Sequence, residues 1–348
     1  MPRRSSCVHR SIPAVLLVPA LAMAQAPGNA ACPHFELSAV PGRLDSPLLR
    51  ETSGLVAGRR SPGVLWIHND SGDSTRFFAI NQQGELLAEF DLQGPDIEAK
   101  DWEDIAIGPG RSADASYLYL GDIGDNATRR TTIDVYRVLE PSVDTTARRK
   151  KVAIDRGQVE RITLQYPGSK PHNAETLLVD PVDGALYVVT KDLDSGRVFR
   201  ASAEMLKDHA HLTLAQVAAV NPRRFDIRVT GLTGGDISAD GAWIILRNRT
   251  EGFLWPRKPG TSLAATLSAN PEAPCLISVG DGETLGLLPD GSAYFTIQEG
   301  VGRPVFRFDR ETPAPPRPRR PTREPPDIDF VLPIAIGQMR TDYFDRQR

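Results

Sequence analysis

The chain has 348 residues, 40% hydrophobic and 24% charged, ordinary for a soluble protein and enough for one large domain or two smaller ones. Its formal net charge of −3 lacks the basic excess expected of a nucleic-acid binder. With 29 Gly and 29 Pro, about one residue in six interrupts regular structure, which speaks against long helices and for many short strands and turns.

The N-terminus has the make-up of a targeting segment over residues 1–24. Arg3, Arg4 and Arg10 precede a short apolar run, Ile12 to Leu21, and Ala22-Met23-Ala24 is a small-x-small cleavage site. The run is too short to span a bilayer. Cleavage removes three arginines and no acid, so the mature charge is about −3 − 3 = −6. Export to the periplasm or beyond is expected, with no membrane association after cleavage; an uncleaved anchor and lipidation at Cys32 are the alternatives. Cys7 leaves with the signal. The remaining pair, Cys32 and Cys275, is predicted to form a disulfide in an oxidising compartment, against the alternative of two unrelated buried thiols.

From residue 34 to 310 the chain repeats one unit. Five segments start with an acid and continue as a short apolar strand: Glu51-Thr-Ser-Gly-Leu, Glu103-Asp-Ile-Ala-Ile, Glu175-Thr-Leu-Leu-Val, Asp236-Ile-Ser and Glu283-Thr-Leu-Gly-Leu. Their spacings of 52, 72, 61 and 47 residues suit propeller blades with loop insertions. A second strand follows each and ends polar, in His68-Asn69-Asp70, Gly-Asp122-Ile-Gly-Asp125-Asn126, Thr-Lys191-Asp, Arg247-Asn-Arg249 and Gln-Glu299-Gly. Third strands are readable after all five, fourth strands after four. The spare strand His34 to Val40 completes the fifth unit. The expectation is an all-β protein, a β-propeller of five four-stranded blades (six being the alternative) with its ring closed by the N-terminal strand, which leaves no free ring edge.

Residues 141–160, with the basic run Arg148 to Lys151, read as a solvated surface insertion. Residues 311–348 read as a proline/arginine-rich C-terminal tail.

In a blade the start of the innermost strand and the turn between strands two and three share one face. Glu51, Glu103, Glu175, Asp236 and Glu283 would then ring one channel mouth, with Asp122, Asp125, Asn126, Asn69 and Asp70 around them. Converging carboxylates repel unless protonated or neutralised, and a hard cation such as Ca2+ is the simplest remedy. The plain alternative is turn chemistry at Asp-Gly and Asn-Asp pairs. His172 and His68 are candidate general bases, or hydrogen-bonded turn histidines. Arg129, Arg130, Lys191 and Arg247 are candidate contacts for a small anionic substrate, or local ion-pair partners. No G-x-S-x-G, H-E-x-x-H, P-loop or paired-cysteine zinc spacing occurs.

The segments ETSGL, LWIHNDSGD, DWEDIA, YLYLGDIGDN, HNAETLLVDP and GETLG resemble a group of exported bacterial β-propeller proteins. More loosely they resemble the phytase-like and gluconolactonase/strictosidine-synthase-like calcium propellers. That resemblance implies a channel metal held by Glu, Asn and Asp from different blades; the acids here match its positional logic but not its one-Glu, two-Asn, one-Asp set. Two functions follow as expectations. One is a calcium-dependent hydrolase of a phosphoester or lactone, with His172 or His68 as base. The other is a non-enzymatic monomer that binds a periplasmic protein and uses calcium structurally.

Overall fold

The computed structural model describes residues 32–311 apart from 113, 147, 193–194, 225–226 and 229–230. The expected signal segment and C-terminal tail lie outside the described residues. The rest is a five-bladed β-propeller, each blade a sheet of four or five strands. Strand β1 (Phe35–Arg43) enters first and waits for the end of the chain. Blade one is β2 (Thr52–Ala57), β3 (Val64–Asn69), β4 (Arg76–Asn81) and β5 (Leu86–Gln93), paired antiparallel in order.

Blade two begins with β6 (Trp102–Pro109), β7 (Ser116–Asp122) and β8 (Ile133–Leu139). The chain then leaves as β9 (Lys150–Asp155), which pairs parallel with β5, and returns as β10 (Val159–Gln165). Blade three repeats the excursion. After β11 (Ala174–Val179), β12 (Leu186–Thr190) and β13 (Gly196–Ala201), β14 (Ala210–Thr213) pairs parallel with β10 before β15 (Ala215–Val220) completes the sheet. A short hairpin follows, β16 (Arg223–Arg224) with β17 (Ile227–Arg228). Blade four is β18 (Gly234–Ile237), β19 (Trp243–Arg247) and β20 (Glu251–Pro256), then helix α1 (Leu263–Ala269), then β21 (Cys275–Ser278). Blade five is β22 (Gly286–Leu287), β23 (Ala293–Ile297) and β24 (Pro304–Arg310), finished by β1. The N-terminal strand therefore closes the ring, as the repeat pattern predicts.

Burial explains the strand types. β2, β3, β11 and β12 are buried at every position, being covered on both faces, and read as near-continuous apolar runs. β21 alternates buried and exposed, as an outer strand should. The innermost strands β2, β6, β11, β18 and β22 are mutual neighbours around the axis.

The excursions also protect edges, which would otherwise offer unpaired backbone to other chains. β9 covers β5 and β14 covers β10. Leu263 and Leu267 of α1 pack with Val220 of β15, and its first turn is capped by Ser262, whose Oγ accepts from Ala265 N at 3.1 Å. At β21 the cover is covalent: Cys275 is joined to Cys32. The basic run is thus not a free solvated loop. Lys151 lies 2.9 Å from Asp91 and 3.4 Å from Glu89, so the charges of β9 dock it on blade one.

Among the described residues no helix is long and apolar enough to cross a membrane.

Candidate functional site

The starts of the inner strands carry the predicted acids, but their register sorts them. Trp102 pairs with Asp122 and Asp104 with Gly121, so Glu103 is the extra residue of a β-bulge. Ala174 pairs with Thr190 and Thr176 with Val189, which puts Glu175 on an equivalent bulge. A bulge re-aims the side chain it contains. In blade one the same interruption lies between Thr52 and Leu55, so the position of Glu103 is held by Ser53 and not by Glu51. Ser53 Oγ instead donates to Glu103 O at 2.5 Å, tying blade one to blade two. In blade four the ladder runs unbroken from Gly234 to Ile237.

The acids that meet are therefore a subset with additions. Carboxylate oxygens of Asp70, Asp101 and Glu103 lie within 4.8 Å of one another, and so do those of Asp70, Glu283 and Glu299. Glu175 is held by Lys191, whose Nζ lies 2.6 Å from Oε1 and 2.5 Å from Oε2. Arg249 reaches Glu283 and Glu299, each at 3.5 Å. All five blades contribute. Asp101, Glu299 and Arg249, residues of the flanking polar runs that the repeat does not single out as ligands, complete the cluster.

Glycine makes the closest approach possible. A Cβ on Gly124 would lie 2.2 Å from Glu103 Oε1 and 2.5 Å from Asp101 Oδ2, so a larger residue at that step of the GDIGDN turn would push these carboxylates aside.

Burial dominates the electrostatics. Glu103 is only 2% exposed and among the described residues receives no side-chain hydrogen bond. Burial, followed by the charges of Glu175, Asp70, Asp101 and Glu283, pushes its carboxyl up to about 11. Burial and then Glu175 and Glu299 raise Glu283 to about 7. Asp70 and Asp101 are raised for the same first reason. Burial works against the Lys191 ammonium, but Glu175, Glu283 and Glu103 together hold it above its usual value. The mouth is thus a preformed cluster of acids in which burial and mutual repulsion favour the protonated carboxyl.

That state has a measurable consequence. Between pH 4.5 and about 7 the unfolded Glu283 has lost its proton while the folded one keeps it. The folded state then binds more protons, so stability falls as pH rises. The contribution is fully present below pH 4.5, is lost as pH passes 7, and Glu103 extends the loss above that. In chelator, a decline of about 2–3 kcal/mol from pH 4.5 to 8 is expected, readable as a falling Tm. Glu283→Gln should make the decline shallower, and the slope that remains belongs to Glu103.

The other predicted residues serve as struts or wedges. Glu51 is exposed and lies outside the cluster. Asp236 accepts from Ile237 N and from Leu287 N of blade five, both at 2.8 Å. Asp104 makes the same link from blade two to Leu177 N at 2.9 Å, so Asp236 is a blade-to-blade staple that does not face the mouth. Asp122 accepts from Arg130 Nη1 at 2.8 Å and Asp101 N at 3.0 Å, fixing the entry to β6. Arg130 also donates to Gly124 O, and Asp125 accepts from Arg130 N at 2.6 Å. Asn126 Oδ1 accepts from Asn173 Nδ2 at 3.2 Å. Asn69 Oδ1 accepts from the N–H groups of Arg50 and Glu51. Arg129 is exposed.

Arg247 is buried and donates only to backbone carbonyls, including Gly282 O at 2.6 Å and Thr284 O at 2.7 Å, so it shapes the Glu283 loop and offers nothing to a substrate. Neither histidine faces the acids. His68 packs edge-on against Trp102, with Nδ1 2.8 Å from Asn69 O, and burial lowers it to about 4. His172 lies against Tyr166 and Phe199, its Nδ1 3.3 Å from Asp192.

No family model matches the chain, and no curated protein matches it. Solved structures do. A hydrazine synthase of Kuenenia stuttgartiensis is 8% identical with a TM-score of 0.38, over 74% of this chain and 94% of that one. A luciferin-regenerating enzyme is 10% identical with a TM-score of 0.39, over 80% and 95%. Likeness this distant carries no argument about function. The finer resemblance to phytase-like or gluconolactonase-like propellers has no family model or curated relative behind it.

Proposed function

We propose that this protein is an exported β-propeller that binds one hard divalent cation, calcium by donor chemistry, in its acidic mouth, and that the bound cation and Lys191 together receive a small anionic ligand. The observation that carries this reading is the Asp70–Asp101–Glu103 group, three all-oxygen donors within 4.8 Å around a buried carboxylate that no donor among the described residues serves. Oxygen-only donors of this charge suit calcium better than zinc or copper. Asp70 also belongs to the Glu283–Glu299 group, so either set, or both, supplies ligands. Lys191 and Arg249 provide cationic flanks at the same mouth. Export is supported by the Cys32–Cys275 bridge, which persists in oxidising compartments.

Binding is favoured over hydrolysis because both candidate bases are turned into the packing between blades. A bound divalent cation would itself polarise a carbonyl or phosphoryl oxygen, so a hydrolase without a histidine base is the second reading.

Equilibrium dialysis with calcium tests the proposal. Wild type should bind more tightly at pH 8 than at pH 5.5, because the ligands must lose protons. Glu103→Gln should weaken binding at least about tenfold, roughly 1.4 kcal/mol. The exposed Glu204→Gln, outside every acidic group among the described residues that could hold a cation, should bind as wild type does. Absence of calcium binding by wild type, or an unaltered Glu103→Gln, ends the reading. Where calcium binds, calcium-dependent turnover of a lactone or phosphoester panel selects the hydrolase.

A further inference from the structure

We infer that the channel end opposite the acidic mouth is a separate binding site for a small oxyanion, a carboxylate or phosphate, gripped by the Arg59 guanidinium. The inference does not depend on the cation site.

A cavity of about 390 Å3 opens where the first-to-second-strand turns of four blades meet. Its lining includes Arg59 and Arg60 from blade one, Pro109 and Ser116 from blade two, Pro181 from blade three and Ala239 from blade four. Its volume suits a small ligand.

Arg59 is half-buried there, and its guanidinium makes no hydrogen bond or ion pair with any described residue. That is unlike the other arginines drawn into the fold. Arg76 ends on Asp73 and Glu89, Arg137 on Glu160, Arg257 on Asp180 and Arg247 on carbonyls. The acids near Arg59 are already engaged. The Glu140 carboxylate accepts from Arg59 N at 2.9 Å, Arg60 N at 3.0 Å, Trp66 Nε1 at 3.1 Å and Ser116 Oγ, which uses its acceptor capacity. Asp236 is taken by its two backbone N–H groups. Burial pulls the Arg59 guanidinium below its usual pKa, with Asp236 and Glu140 opposing.

A desolvated cation without a partner is costly to hold, and a planar fork of five donors matches the oxygens of a carboxylate or phosphate. Arg60, anchored through Nη1 to Glu140 O at 2.9 Å, adds positive potential at the rim. Asp114 is the acid of the lining and is exposed at its edge.

Calorimetric titration of chelator-treated protein with inorganic phosphate, at constant ionic strength in chloride, tests the inference. Wild type should bind saturably. Arg59→Gln should weaken binding at least tenfold, and Arg59→Lys should fall between the two because it keeps charge without the fork. Phenylglyoxal labelling of the native protein gives a measurement that needs no variant: saturating phosphate should protect Arg59, located by mass spectrometry. No saturable binding by wild type, undiminished binding by Arg59→Gln, or an unprotected Arg59 each overturns it.

Discussion

Replacing Cys32 and Cys275 together by alanine is expected to lower stability by about 5 kcal/mol in the chain-entropy account of cross-links. The bridge spans 243 residues, so the unfolded chain regains nearly the whole ring as a free loop. For a domain of this size the loss corresponds to a Tm lower by about 10 °C. The native state explains why the bond sits there. β1 is mostly exposed and its pairing with β24 is interrupted by register shifts after Leu37 and Ala39. Its one well-buried anchor is Phe35, whose ring meets Tyr294 of blade five at 5.0 Å and Trp243 of blade four at 5.8 Å. The disulfide lies three residues before that anchor and fastens it to blade four. Thermal melts of the double variant with and without reductant provide the measurement, and reductant should shift wild type alone. A loss below about 1 kcal/mol would mean that β1 pairing and Phe35 close the ring unaided.

Ring closure was legible because closure needs a spare strand and the N-terminus had one. The blades were legible for a local reason: a short apolar run between turn residues marks a buried strand wherever it occurs. What escaped depends on pairing at long range or on single-residue register. β9 has one buried side chain, Ile154, and a basic start, so nothing in Lys150–Asp155 distinguishes it from a solvated loop. Its partner β5 lies more than fifty residues upstream, and only the acids Glu89 and Asp91 hint at the match. The acidic mouth was legible as a face but not as a ligand set. Glu51, Glu103 and Asp236 look alike in the repeat, yet a one-residue slip sends a strand side chain to the other side. The bulges at Glu103 and Glu175 aim those acids inward; the unbroken ladder at Asp236 turns it into a staple.

Arg247 shows the same ambiguity for cations, and Arg247→Met is expected to destabilise by about 3–5 kcal/mol. The side chain is 0% exposed. Nε donates to Asn248 O at 2.9 Å, Nη1 to Thr284 O at 2.7 Å, and Nη2 to Arg249 O, Gly280 O and Gly282 O between 2.6 and 3.0 Å. Burial lowers its pKa to about 10, so it is still charged at neutral pH. Methionine fills much of the volume but leaves five inward-facing carbonyls without their donor, and each buried acceptor stranded in this way carries its own desolvation penalty. Lysine has three donors on one atom and cannot span the same carbonyls, so Arg247→Lys should recover little. Three of the carbonyls, those of Gly280, Gly282 and Thr284, belong to the loop that delivers Glu283, where Gly282 adopts φ +126° and a Cβ would meet Ile297 O at 2.8 Å. Loss of Arg247 should therefore weaken the proposed calcium binding together with stability. Arg249→Gln provides the contrast: its side chain is half exposed, its ion pairs to Glu283 and Glu299 are long, and stability should change by less than about 1 kcal/mol while ligand affinity at the mouth falls. Denaturant unfolding and calcium titration of both variants separate the roles. An Arg247→Met protein as stable as wild type but deficient in anion binding would return Arg247 to the substrate side of the mouth.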